Sequence, residues 1–230
     1  MEILIENKEE WYKKFVDVKS NLTKDDLFCE KKKILMEIHG WLHSKGVTKN
    51  SVNTYYDILW ENLNESTCKV ISKKETSVLW NIWHITRIED MVSNILMANK
   101  EEVFNKEIQH ELNVKIKDTG NAMDHNEIDD FNDKINIKAL AKYRKSVGKS
   151  THEILSRLKY ADLKIKVKKE QIEKIRENGG VIDKDKAIWL LNFWGSKNIM
   201  GLITIPLTKH QIVHINDCFN IKNKYAPKSK

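Results

Sequence analysis

Apolar residues in this chain recur at intervals of three and four, the period of an α-helix lying against a core. Across residues 27–45, Ile34, Leu35, Ile38, Trp41 and Leu42 follow that spacing, and Gly46 stands where such a helix would stop. A shorter helix is predicted over 52–63, carrying Tyr55, Tyr56, Ile58, Leu59 and Trp60, after a loop at 47–51. Residues 64–75 are polar and predicted to be a connection. Thr76 or Ser77 then caps a long helix reaching about Asn99. Its Val78, Leu79, Ile82, Trp83, Ile85, Ile88, Val92, Ile95 and Leu96 cover too much of the circumference for a one-sided helix, which predicts a helix buried in a bundle.

A short helix is expected over 100–112. Residues 113–136 read as loop: Asp118-Thr119-Gly120-Asn121 is followed by an acidic run through Asp133. A structureless loop of that length is uncommon inside a compact domain, so a short helix or a covering role is expected within it. Helix resumes over 137–147, with Gly148 as a candidate break. A second long helix is predicted over 151–178, closed by Gly179-Gly180. Asp183 or Lys184 opens another stretch containing Ile188, Trp189, Leu190, Leu191, Phe193 and Trp194. Pro206 precedes a final helix over 207–223, a first-turn position that suits proline, although a kink within a longer helix also fits.

Several long helices with elaborated connections predict an all-α protein, a four-helix bundle in a single domain with its core at about 27–223 and a polar tail at 224–230. The two middle long helices lie about fifty residues apart, enough for a crossover. Composition agrees. The 230 residues include Gly 8 and Pro 2, where average usage gives roughly 16 and 12. Sandwiches and barrels need more turns than that, and disorder is excluded by 40% apolar content with seven Trp.

The formal charge of +7 comes from 40 Lys+Arg against 33 Asp+Glu. The basic run between Lys164 and Lys169 is interleaved with acids at Asp162, Glu170 and Glu173, as on a solvated helix face, and nucleic acid is not the expected partner. Cys29, Cys68 and Cys218 are odd in number and far apart, so no disulfide framework is implied. The first residues turn polar from the sixth onward and do not read as a signal peptide. No apolar run is a good membrane span. The expectation is a reduced, soluble, cytoplasmic protein whose partner is a small-molecule substrate, with a homodimer left open.

Chemistry is concentrated in the histidines. His210 and His214 are four apart on the final helix, about 40° around its axis, and both imidazoles can face one ion. A zinc-peptidase helix would carry Glu directly after the first His. Here that position is Gln211, which cannot take a proton. An open catalytic site needs a third ligand, for which His84 on the apolar helix is the best candidate, against the plainer alternative of a satisfied core histidine. His39 and His43 form another i,i+4 pair, able to supply a fourth ligand or line a pocket. His110, His125 and His152 have no partner at ligand spacing and are expected on surfaces. Cys218, four after His214, reads as a buried structural thiol rather than a site residue.

Trp83-His84-Ile85-Thr86-Arg87-Ile88-Glu89-Asp90 resembles the WHIxRIED signature of the DinB-like (DNA-damage-inducible) superfamily. Thr119-Gly120-Asn121-Ala122-Met123, Tyr143-Arg144-Lys145-Ser146-Val147-Gly148, Trp194-Gly195 and residues 209–217 resemble its later segments, so the likeness runs from about residue 30 to 224. It implies a four-helix bundle of up-down-down-up connectivity holding a divalent metal on three histidines, one from the second helix and two from the last. On this chain those are His84, His210 and His214. The superfamily includes thiol-dependent S-transferases that use low-molecular-weight thiols, as well as members with no assigned reaction, and DNA binding is not implied. Thiol-dependent S-transfer is therefore the leading expectation, with a metal-dependent hydrolase and a noncatalytic metal-binding bundle as alternatives. Zinc, nickel and iron all accept imidazole, so the ligand set does not choose the metal. Arg87, three residues after His84, is a candidate for binding an anionic thiol cofactor, or else for a bundle ion pair with Asp90 or Glu89.

Overall fold

The computed structural model describes residues 2–48 and 53–227, with side chains from Lys8 onward. The structure is all-α: α1 (Glu2–Asn21), α2 (Phe28–Gly40), α3 (Tyr55–Trp60), α4 (Glu65–Lys69), α5 (Val78–Asp90), α6 (Lys106–Leu112), α7 (His125–Lys134), α8 (Ile137–Arg157), α9 (Lys169–Glu177), α10 (Asp185–Gly195), α11 (Ile199–Thr204) and α12 (His210–Tyr225). Two wider π-helical turns, Met91–Met97 and Ile205–Lys209, extend α5 and join α11 to α12. None of the helices among the described residues is long and apolar enough to cross a membrane.

Helices α2, α5, α8 and α12 form the bundle, and their cross-links fix its directions. Residue numbers rise together where α5 meets α8: Arg87 bonds Tyr143, Glu89 pairs with Arg144, and Ser150 bonds Asn94. Those two helices are parallel. Between α5 and α12 the numbers run oppositely, with Asn81 bonded to His214 and the Ile85 carbonyl to Gln211. Lys32 reaches the Ser156 carbonyl while Arg144 reaches that of Leu42, so α2 is antiparallel to α8. The connectivity is up-down-down-up, and the parallel pair requires the long crossover that carries α6 and α7.

The caps follow local chemistry. Ser77 accepts the Trp80 amide at the start of α5. Asp124 and Glu127 exchange bonds as a capping box that opens α7, the short helix expected in the long acidic loop. Within the connection expected at 64–75, Asn64 accepts the Thr67 amide and nucleates α4. The start predicted at Val52 lies outside the described residues; Thr54 caps α3 with Asp57. The segment expected as helix over 100–112 is helical only from Lys106, where Asn105 caps it.

Three expectations are corrected. Gly148 does not interrupt α8, which runs on to Arg157. A Cβ there would meet His43 Nδ1 at 2.5 Å, so the glycine makes room for α2. The helix predicted over 151–178 is two helices. Leu158 is extended at the end of α8, and the chain then passes through a short 3-10 turn at Tyr160–Lys164. The following Lys164-Ile165-Lys166-Val167-Lys168 alternates with period two and pairs with 197–199, where Val167 donates to the Lys197 carbonyl at 3.1 Å and Ile199 to that of Ile165 at 3.0 Å. Finally, the core begins before residue 27. Trp11, Phe15, Val18 and Leu22 of the amino-terminal region are buried against α2.

Trp11 is the anchor of that added helix. It is fully buried, stacks on Phe15 and donates its indole N–H to the Ile38 carbonyl at 3.0 Å. Trp11→Ala is expected to cost about 3–5 kcal/mol, as for other buried Trp truncations. Urea denaturation measures it, and a loss below about 1 kcal/mol would contradict the docking of α1.

Candidate metal centre

Helix α5 presents Trp80, Trp83, His84 and Arg87 along one face, the i, i+3, i+4, i+7 pattern. Each grips the crossover loop through a backbone carbonyl. Arg87 Nε donates to Lys117 at 2.8 Å, Trp83 Nε1 to Asp118 at 3.1 Å and Trp80 Nε1 to Gly120 at 3.2 Å. His84 Nδ1 lies 2.8 Å from the Thr119 carbonyl. Gly120 is required here: its φ is +77°, and a Cβ would fall 2.9 Å from Trp80 Nε1.

Those bonds decide the tautomer of His84. A carbonyl only accepts, so Nδ1 carries the proton and Nε2 offers its lone pair. His214 is set in the same way from within the bundle. Its Nδ1 lies 2.7 Å from Asn81 Oδ1, and the amide cannot be turned round because its nitrogen donates to the Ser77 carbonyl at 2.7 Å. His210 Nδ1 is buried without a partner among the described residues.

The three rings converge. His84 Nε2 and His210 Nε2 are 3.2 Å apart, and one ligand nitrogen from each of His84, His210 and His214 lies within 4.8 Å of the others. Two imidazole nitrogens at about 2.0–2.1 Å from a tetrahedral ion would be separated by about 3.3 Å. The triad therefore fits a divalent metal. Metal ligation needs neutral imidazoles, and the environment supplies them. Burial pushes His84 down to about 4, partly opposed by its bond to Thr119. Burial and then His84 bring His210 to about 3, and burial with the neighbouring histidines and Lys74 holds His214 well below the usual range.

The three histidines form one wall of a cavity of about 400 Å³. The rest is almost wholly apolar: Trp80 and Ile88 from α5, Trp189, Leu190, Phe193 and Trp194 from α10, and Ile205 and Pro206 from the π-turn. Among the described residues Asn121 is its one other polar side chain, and no charged side chain lines it. The π-turn has a local cause. Pro206 has no N–H to give, and the widened turn returns bonds elsewhere, with Thr208 Oγ1 donating to the Ile203 carbonyl and Gln211 Nε2 to that of Pro206.

Other residues singled out in the sequence go elsewhere. Arg87 is fully buried, bonded to Glu102 and Tyr143 and lying 4.2 Å over the Phe104 ring, and it does not line the cavity. Its neighbour Asp90 accepts the amides of Val103 and Phe104, so Arg87 and Asp90 together fasten the start of the crossover. His39 and His43 belong to a separate buried group, both with Nε2 near Glu89 Oε1 at 2.9 and 3.1 Å. That group also has metal-ligand composition, but Arg144 occupies the other Glu89 oxygen at 3.1 Å. His152, expected on the surface, is half-buried with its ring 6.1 Å from that of His39, while His110 and His125 are exposed. Cys218 is a buried thiol with its Sγ toward the Val78 carbonyl. Gln211 is turned into the core, accepting from Arg144 and donating to Ile85. Of the two ion-pair partners expected for Arg87, Asp90 lies 3.5 Å from it while Glu89 pairs with Arg144 instead; Asn81 is the site residue that sequence reasoning missed, its only signal being an amide on a mostly apolar helix.

No family model matches the chain, and no curated protein matches it at a significant level.

Two outcomes follow from this geometry. Replacing His84, His210 or His214 by Ala should abolish stoichiometric metal, whereas Asn81→Ala should weaken it by about 10–100-fold, the usual effect of losing an orienting partner. His43→Ala should leave metal content unchanged; mass-spectrometric metal analysis with chelator competition separates these cases, and equal loss in all variants would contradict a distinct triad. The metal-free protein should also be acid-sensitive. His43, His84 and His210 have folded pKa values of about 3 to 4, below the unfolded value near 6.5. The unfolded chain therefore takes up protons first, and stability present above pH 6.5 should fall by up to about 1.4 kcal/mol per pH unit per histidine as pH drops toward 4. A denaturation midpoint flat from pH 7 to 4.5 would contradict their burial as neutral rings.

Proposed function

We propose that this chain is a metal-dependent enzyme that activates a low-molecular-weight thiol for S-transfer, as the DinB-like proteins it resembles include. The observation that carries the reading is the convergence of three neutral imidazoles, two with their tautomers set by Thr119 and Asn81, on an apolar cavity. His84, His210 and His214 would hold the ion, and what a divalent ion supplies there is Lewis acidity, which favours the ionised form of a bound thiol or water.

The chain's own residues narrow the chemistry. Among the described residues no carboxylate lines the cavity, and Gln211, beside His210, is bonded into the core. Among the described residues the lining therefore offers no general base of the peptidase kind, and a bound ion would supply the activation of the nucleophile. Three neutral ligands leave the ion's positive charge intact to stabilise a thiolate. The apolar walls offer water few hydrogen-bond partners, which favours a polarisable sulfur nucleophile over hydrolysis. Arg87 is not available to an anionic thiol, so the polar part of such a thiol would stay at the mouth of the cavity.

The test uses metal-loaded protein, an electrophilic probe and a panel of low-molecular-weight thiols, beside His210→Ala. The expected result is thiol consumption that needs both the metal and His210, with at least about a hundredfold loss in the variant, in line with losing a metal ligand. Hydrolysis of esters or amides with no thiol effect would overturn S-transfer in favour of a hydrolase. Inactivity with metal bound would leave a noncatalytic metal-binding bundle.

A further inference from the structure

The lining of the cavity says what kind of molecule it accepts. At about 400 Å³ it is large enough for a small molecule of two or three rings, since such sites start at about 300 Å³. Four of its walls are aromatic: Trp80, Trp189, Phe193 and Trp194. Trp80 lies flat against His84 (ring centroids 4.6 Å apart, interplanar angle 9°), so an indole borders the metal ligands directly. Trp189 is held in place by its own indole bond to the Lys186 carbonyl and meets Phe193 edge-on at 5.9 Å.

The mouth is apolar too. Large apolar side chains left in water are few among the described residues, yet Trp189 is 49% exposed and Ile205 38% exposed, and both line this cavity. Clustered exposed apolar groups of this kind mark a binding site rather than a neutral surface. Away from the triad, a charged ligand finds no counter-ion among the described lining residues. Lys197 lies over the Phe193 ring at 4.4 Å but is not in the lining, and Asn121 already accepts from Thr119 Oγ1 at 3.2 Å. Burying an unpaired carboxylate or ammonium here would cost several kcal/mol, while ring stacking is favourable.

We propose that the cavity over the triad binds an uncharged aromatic molecule, its rings against Trp189 and Phe193 and a single neutral heteroatom turned toward the histidines. This deepens the reading of the triad as a metal centre and rests on it only for the heteroatom; the aromatic subsite stands on the cavity walls alone.

The experiment has two arms. In the first, metal-loaded protein is titrated with 4-phenylimidazole and with 4-(imidazol-4-yl)benzoate, which offer the same donor and differ by one carboxylate. Calorimetry should show the neutral ligand binding at least about tenfold tighter, and Trp189→Ala should weaken it about tenfold with metal content unchanged. In the second, metal-free protein is titrated with N-phenyl-1-naphthylamine, an uncharged probe that fluoresces in apolar surroundings and needs no metal. It should bind, and Trp189→Ala should reduce its affinity while Trp189→Phe restores most of it. Absence of metal together with naphthylamine binding sensitive to Trp189 would sink the metal reading and keep the aromatic subsite. Equal or tighter binding of the benzoate, or naphthylamine binding indifferent to Trp189, would overturn the proposal.

Discussion

Helix α5 is buried along its whole length, from Val78 to Asp90, although it carries Asn81, His84, Thr86, Arg87, Glu89 and Asp90. A polar group taken out of water must find a partner or destabilise the fold, and on this helix each one does so differently. Arg87 and the two tryptophans reach the carbonyls of residues 117–120, Asp90 holds the amides of Val103 and Phe104, and Glu89 pairs with Arg144. The same constraint therefore seats the crossover loop on α5 and locks α8 parallel beside it. Arg144 passes the constraint on to α2 through the Leu42 carbonyl and to α12 through Gln211.

The candidate site is a by-product of that satisfaction. His84 and Asn81 sit on the same buried helix, and the partners that satisfy them orient two of the three imidazoles. Gln211 ties the π-turn to α5 through the Pro206 and Ile85 carbonyls, which places His210, its immediate neighbour, against His84. The third ligand lacks an orienting partner of that kind: among the described residues its Nδ1 is unpartnered, and its Nε2 faces His84 Nε2 at 3.2 Å.

Much of this was legible in the sequence, and the illegible parts have physical reasons. The all-α bundle followed from helical periodicity and scarce turn residues, and Ser77 from its position ahead of an apolar run. The i,i+4 spacing alone puts the His210 and His214 rings on one face, whereas His84 entered as a candidate from its place on the apolar helix and from the resemblance. Helix α1 was hidden because its apolar residues Trp11, Phe15 and Val18, with Leu22 just beyond its end, are diluted by charged neighbours, leaving a narrow stripe. The single helix drawn over 151–178 concealed the period-two stretch Lys164-Ile165-Lys166-Val167-Lys168, whose pairing partner lies some thirty residues on at 197–199. Gly148 looked like a helix break because its reason for being glycine, the ring of His43, comes from a distant part of the chain. The roles of Arg87 and of the second histidine pair were likewise set by partners such as Glu102 and Arg144, which no local pattern announces.

Among the described residues two groups have metal-ligand composition, His84–His210–His214 and His39–His43–Glu89, and the first opens onto the cavity. X-ray absorption at the edge of the metal retained by untagged protein distinguishes the two. Three imidazole nitrogens at about 2.0–2.1 Å, with no protein carboxylate oxygen, is the result expected of His84, His210 and His214. A first shell of two imidazoles and one carboxylate would place the ion at His39, His43 and Glu89 and contradict the account.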